Sequence, residues 1–321
     1  MGMADTVTKE YIRSNEVFAD AFNYLIYDGE QVVKPALLQE LDTTEIAIPF
    51  ALGENENQTE DVVQKYRDVL KSAVIMQDSR ASYILLGVEN QTEIHYAMPV
   101  RNIIYDALQY GKQVSEVAKR HKSKGDRKGH NKGEYLSGFY KEDRIRPVIT
   151  LVVHFGADEW DGPLSLYEMM DLEDKKLLEF VQDYRIFLID PYKLANNDLE
   201  KFSTSLGDVL GYIKYSKDKK ALSKFLNDNQ VMIMDNDAAR VIRDVTNTRI
   251  YVPDGKGEID MCKAVRDMID ESKQEGMAAG ELNKAKKMAL KMYKKGDSIE
   301  EIAEMAEVSV DQVKEWINSA V

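Results

Sequence analysis

A chain of 321 residues with 43 Lys and Arg against 56 Asp and Glu has a formal net charge of -13. That charge excludes a protein that coats nucleic acid by bulk electrostatics and leaves only local basic patches for such contact. The length accommodates about two domains. One cysteine, Cys262, excludes an intramolecular disulfide, no Cys/His spacing resembles a zinc site, and the longest apolar stretch, 147–153, is far shorter than the roughly 20 residues that span a bilayer. A cytoplasmic protein without membrane contact is the expectation.

Residues 1–11, MGMADTVTKEY, have no hydrophobic signal core and are assigned no element. The first expected helix is SNEVFADAFNYLIY, where Val17, Phe18, Ala21, Phe22 and Leu25 form an apolar stripe and Ser14 or Asn15 is the cap. Asp20 is the polar residue nearest that stripe. A strand follows at 44–50 (TEIAIPF), and the polar segment 51–62 reads as a loop. Two apolar runs, 65–75 (KYRDVLKSAVI) and 83–93 (YILLGVENQTE), flank the turn-like MQDSRAS and read as an antiparallel hairpin.

With the turn centred on Asp78 and Ser79, Asp68 lies opposite Glu89, their Cβ atoms roughly 4.5 to 5.5 Å apart. Strand alternation puts Gln91 on the face of Glu89. Two like charges so placed repel unless a cation lies between them. After Glu93 the pattern turns helical, with Arg101 and Tyr105 stacked four residues apart. The stretch 119–132, KRHKSKGDRKGHNK, reads equally as a solvated linker or as a DNA-backbone contact through Lys122, Lys124, Arg127 and Lys128. Further strands are expected in RPVITLVVHFG, apolar enough to be buried on both faces, and in YRIFLID. His95 and His154 read first as structural histidines, and Trp160 with Asp158, Glu159 and Asp161 as a packed loop.

From Asn197 the pattern is helical, with a long helix over 259–295 in which Gly276 and Gly280 suggest close helix contact. Two expected capping boxes, Ser298 with Glu301 and Ser309 with Gln312, outline a terminal helix-turn-helix. Its second helix offers Lys314 beside Asp311 and Glu315, so DNA reading competes with an assembly role. The expected architecture is an α/β mixed sheet flanked by helices, followed by a helical C-terminal region. The expected domains are a core at 1–195, a helical extension at 196–257, a long helix for homo-oligomer assembly at 258–295, and the helix-turn-helix at 296–321.

Phosphodiester cleavage needs an activated water, a cation to neutralise developing charge and a group that holds the phosphate. Mg²⁺, or Mn²⁺ in its place, takes oxygen ligands, usually one or two carboxylates completed by water and phosphate. Asp68 and Glu89 supply such carboxylates, with Asp20, on the first helix, either a third ligand or a group that holds the ligands from behind. Gln91 is placed to orient a water, and Arg101 with Tyr105 to contact a phosphate.

The segments FADAFN, RDVL, GVENQTEIHYAMPVRNIIYDALQY, SGFYKEDRIRPVITLVVHFG and ADEWDGPLSL resemble the recombination-promoting nuclease and putative transposase family of the PD-(D/E)XK nuclease superfamily, over most of 20–215. The resemblance implies a restriction-endonuclease-like fold and Mg²⁺-dependent DNA endonuclease activity. It places the acidic pair on Asp68 and Glu89, and puts Gln91 where the superfamily usually has a Lys. The competing expectation is a catalytically weakened DNA-binding or assembly protein that retains the fold.

Overall fold

The computed structural model describes residues 2–42, 44–47, 63–66, 68–77, 80–125, 131–171 and 175–319. The expected loop at 51–62, the turn at Asp78 and Ser79, the strand residues 48–50, and Arg127 and Lys128 lie outside them. The chain divides into two compact units, residues 1–248 with 252–259, and residues 249–251 with 260–321.

The first unit opens with a helix that the sequence did not suggest, α1 (Met3–Arg13), followed directly by α2 (Asn15–Tyr27). Ser14 separates them and caps α2, its hydroxyl accepting from the Val17 amide at 3.2 Å. β1 (Gln39–Glu40), β2 (Thr44–Ala47), β3 (Val63–Tyr66), β4 (Val69–Gln77) and β5 (Arg80–Gln91) follow. The expected strand at 44–50 is β2, which pairs with β3 outside the main sheet. α3 (Met98–Lys124) is one continuous helix and leads through α4 (Lys132–Ser137) to β6 (Val148–His154) and β7 (Phe187–Ile189).

The main sheet has the order β1-β4-β5-β6-β7. β1, β4 and β5 pair antiparallel, while β5, β6 and β7 pair parallel, so the sheet is mixed as expected. Val69 faces Val88 and Gln77 faces Arg80, which is the hairpin register expected from a turn at 78–79. A one-residue slip would send every side chain to the opposite face. A parallel step from β5 to β6 needs a long crossover, and α3 supplies it.

The two faces of the sheet are covered differently. Leu86, Val88 and Asn90 share one face with their β6 partners Ile149, Leu151 and Val153. On that side α1 packs against β5, and the buried rings of Tyr11 and Phe155 meet edge to face at 6.5 Å. Lys71 is buried on the same face, its Nζ donating to the Arg13 carbonyl and to Asn15 Oδ1, both at 2.5 Å. It thereby ties the α1–α2 junction to the sheet, and burial lowers its pKa. The other face holds Leu85, Gly87, Glu89 and Gln91 opposite Val148, Thr150, Val152 and His154. α3 covers it, anchored by Thr150 Oγ1 donating to Asp106 Oδ1 at 2.6 Å, and Tyr184 Oη donates to Asp106 Oδ2 at 2.7 Å.

Residues 196–257 fold as α5 (Asn196–Leu199), α6 (Leu206–Tyr215), α7 (Lys219–Asn229) and α8 (Asn236–Thr246). These four helices lie within the first unit, where α6 packs on α2 and α8 packs on α1. Tyr24 stacks on Phe202 at 4.5 Å, and Tyr11 Oη shares a hydrogen bond with Ser205 Oγ at 2.9 Å.

The second unit contains α9 (Met261–Lys295), α10 (Ile299–Met305) and α11 (Val310–Asn318). Ala289, Ile302, Val313, Trp316 and Ile317 form its core, so the short helices dock on the last turns of α9. Ser298 and Glu301 make the expected reciprocal capping box. Ser309 caps the Gln312 amide, but the Gln312 side chain turns to Glu315 at 2.9 Å, so the second box is half-formed. A Cβ placed on Gly276 or Gly280 would meet nothing within 4 Å, so the close contact expected there is not made within the described residues. No helix among the described residues is long and apolar enough to cross a membrane.

Candidate active site

β4 and β5 bring the acidic pair to one end of the sheet. Glu89, fully buried near the end of β5, points into the α3 layer, where Arg101 Nη2 lies 3.0 Å from its Oε2. Asp68 sits just before β4, and its Oδ2 accepts the Asn90 amide at 2.9 Å. Its other oxygen, Oδ1, lies 3.3 Å from Lys9 Nζ, which arrives from α1 in the opposite layer. Among the described residues, Lys9 thus pairs with Asp68 from α1 and Arg101 pairs with Glu89 from α3, on different sides of the sheet.

Arg101 is oriented by Tyr105, one helical turn on, as the spacing predicts. Its guanidinium carbon lies 5.6 Å from the Tyr105 ring centre, and the two side chains are hydrogen-bonded. Burial lowers the Arg101 pKa, but the Glu89 carboxylate and then Tyr105 outweigh it and leave the value raised. Burial, reinforced by Glu89, raises the Tyr105 phenol, so it stays neutral. Tyr105 is itself buried, which sets it behind the guanidinium rather than on an open phosphate-binding surface. Burial and then Arg101 lower the His95 imidazole, keeping it neutral at pH 7.

Gln91 shares the Glu89 face, and its Nε2 donates to the Asn90 carbonyl at 2.9 Å. That contact turns the amide NH₂ to the backbone and leaves Oε1 as an acceptor for a water proton. Asn90, His95, Arg101, Asn102 and His154 each have a buried polar atom without a hydrogen-bond partner among the described residues, and all lie at this end of the sheet. Such atoms are rare in folded proteins and call for a bound water, ion or ligand.

Asp20 is not brought to this cluster. Its carboxylate accepts from the Ser203 amide at 2.9 and 3.0 Å, the Ser203 hydroxyl at 2.9 Å, the Thr204 amide at 2.9 Å and the Thr204 hydroxyl at 2.6 Å. Those donors engage both oxygens, so the expectation of a third metal ligand gives way to a tether between α2 and the turn before α6. Lys122 and Lys124 lie in the last turn of α3, about 32 Å along the helix from Arg101 at 1.5 Å per residue. These two lysines therefore stand far along α3 from Arg101, not beside the acidic pair.

His154 is a buried strand residue whose Nε2 lies 2.8 Å from the Asp158 carbonyl, in keeping with a structural histidine. Trp160 is buried and its Nε1 donates to the Gly162 carbonyl at 2.9 Å. Asp158 pairs with Lys217, Glu159 with Lys193 and Asp161 with the Tyr96 hydroxyl, so the packed-loop reading holds. These three acids also line a cleft of about 1020 Å³ with Asp5, Glu93 and Asp244.

Among the described residues no group of three or more His, Cys, Asp or Glu side chains is arranged to hold a metal ion. The donors at hand are the carboxylates of Asp68 and Glu89. Two hard oxygen donors completed by water and phosphate suit Mg²⁺, which is seldom caged by protein alone. The residues present therefore fit that ion. Sequence reasoning missed Lys9, Thr8 and Asn102. The available signal for α1 was the i, i+3, i+4 spacing of Thr8, Tyr11 and Ile12, all three buried.

The fold and the site define an α/β protein with a mixed five-stranded sheet between helical layers and an ionic cluster at one sheet end. Searches of curated proteins and of solved structures gave no match. A family model described as putative transposase, YhgA-like, matches residues 49–238, more than half of the chain. The chain belongs to that family. Asp68, Glu89, Gln91, Arg101 and Tyr105 fall inside the matched stretch, whereas Lys9 and Asp20 precede it.

Proposed function

We propose that the chain is a Mg²⁺-dependent DNA endonuclease that hydrolyses phosphodiester bonds in recombination or mobile-element transfer. The observation that supports this most is the fully buried Glu89 at the same sheet end as Asp68, each held by a cation from a different layer. Burying a carboxylate costs several kcal/mol unless it is paired, and fold stability alone is usually served better by an apolar side chain. A functional demand accounts for its retention.

Asp68 and Glu89 would hold the ion, which supplies charge neutralisation at the scissile phosphate. Arg101 pairs with Glu89 and orients it, and Tyr105 fixes Arg101. Gln91 Oε1 accepts a hydrogen bond from the attacking water and aims it. Arg101, about a quarter exposed, reaches the phosphate from the α3 side. Lys122 and Lys124, at the far end of α3, contact the DNA backbone about one helical turn away.

A second reading is a weakened nuclease that binds DNA or assembles without efficient turnover. It is favoured by the neutral Gln91 and by a site already balanced in charge by Lys9 and Arg101. A plasmid-nicking assay separates the two. Wild type with Mg²⁺ is expected to nick the plasmid and to stop on addition of EDTA. Inert wild type beside an active Gln91→Lys variant would establish the weakened nuclease, and cleavage that persists in EDTA would discard the metal site.

A further inference from the structure

α1 closes the sheet end that holds the acidic pair. Asn90 Nδ2 donates to Thr8 Oγ1 at 2.7 Å, and the Thr92 hydroxyl donates to Asp5 Oδ1. Thr8 also donates to the Ala4 carbonyl at 2.8 Å, fixing its rotamer. Asp5, Thr8 and Lys9 are spaced i, i+3, i+4, so one helical face meets the end of β5. Through that docking Lys9 Nζ comes to 3.3 Å from Asp68 Oδ1, while the Asn90 amide holds the other oxygen.

Stability is a poor explanation for this ion pair. The side chains are 27% and 15% exposed, and partly exposed pairs contribute only about 0 to 1 kcal/mol. The chemistry is a better one. Negative charge builds on the phosphate oxygens in the transition state, and donors or cations already aimed there are the largest source of rate. Gln91 has no charge, and its NH₂ is turned to the backbone. Arg101 is held by Glu89. Lys9 is partly exposed, flexible and a compact point charge, so it can change partners at small cost.

We propose that Lys9 is a second phosphate-contacting cation of this site beside Arg101, delivered by α1 and supplying from another layer the charge that position 91 lacks. In the resting protein its ammonium holds Asp68. With DNA bound it passes to a non-bridging oxygen of the scissile phosphate. The inference rests on the nuclease reading above, and Lys9 lies before the residues matched by the family model.

The test compares wild type, Lys9→Gln, Gln91→Lys and the double variant, all at full length. Lys9→Gln is expected to lower kcat for Mg²⁺-dependent plasmid nicking about 10²-fold, the loss typical of one such donor. Adding Gln91→Lys should return it to within about tenfold of wild type. A readout without turnover is duplex binding in EDTA over a salt series, where Lys9→Gln should reduce the slope of log K against log salt by about one. Thermal melting checks that the variants fold. Wild type that fails to cleave overturns the nuclease reading itself. Wild type and Lys9→Gln that cleave alike, with the same salt slope, overturn the Lys9 assignment alone. Loss of cleavage with an unchanged salt slope and no rescue by Gln91→Lys also overturns it, reducing Lys9 to a structural contact.

Discussion

Glu89→Gln is expected to abolish Mg²⁺-dependent DNA cleavage, with a loss of about 10³-fold or more. The substitution keeps the shape of the side chain and removes its charge. Loss of one of two carboxylate ligands is worth several kcal/mol, and every 1.36 kcal/mol is a factor of ten in rate. It also leaves Arg101 facing a neutral amide at the position where Oε2 now lies 3.0 Å away. Removing one member of a buried pair costs up to about 3–5 kcal/mol. Arg101 is 28% exposed and can turn its head to water, so the stability loss should fall well below that ceiling. Cleavage should therefore be measured well below the melting temperature of the variant. A folded Glu89→Gln protein that nicks plasmid at the wild-type rate would remove Glu89 from the site.

Asp20→Ala should have the largest effect on stability, and it should act without touching the proposed metal site. Its carboxylate satisfies the amides and hydroxyls of Ser203 and Thr204. Truncation leaves two part-buried amides and two hydroxyls of Ser203 and Thr204 without this acceptor, and an unsatisfied buried group costs up to about 1–3 kcal/mol. Hydroxyls can rotate to other partners, so a total near 3–5 kcal/mol is expected. At about 2–4 °C per kcal/mol for a unit of this size, the melting temperature should fall by roughly 10 °C. Mn²⁺ affinity should stay within about twofold of wild type. An Asp20→Ala protein that melts normally but no longer binds the ion would restore Asp20 as a ligand and refute the tether.

These two carboxylates mark where local sequence stops being sufficient. The position of Glu89 was legible because a hairpin register is a local property, fixed by a short turn and by strand alternation over 65–93. Arg101 and Tyr105 were legible for a similar reason, since four residues on a helix are always neighbours. Asp20 was misread because its partner Ser203 lies 183 positions away. Nothing in the α2 pattern distinguishes a metal ligand from a carboxylate that tethers a distant turn. Lys9 was missed because α1 is short and presents a threonine among its buried positions, so its stripe reads as polar.

The helical segment after β7 was legible as helices but not as part of the core. Its apolar faces announce that something is covered, without saying what. Their partners are α1 and α2, at the other end of the chain. The basic stretch shows the converse. It is continuous in sequence with the helix that holds Arg101, yet the 1.5 Å rise per residue of a single straight helix puts Lys122 far from the acidic pair.

Asp68 and Glu89 together are expected to hold one divalent ion. Titration calorimetry with Mn²⁺, on wild type and on Glu89→Gln, tests it without depending on DNA or turnover. One saturable site is expected in wild type, and its loss, or a weakening of at least about tenfold, in the variant. Equal Mn²⁺ binding by both proteins, or no saturable binding by wild type, would contradict it.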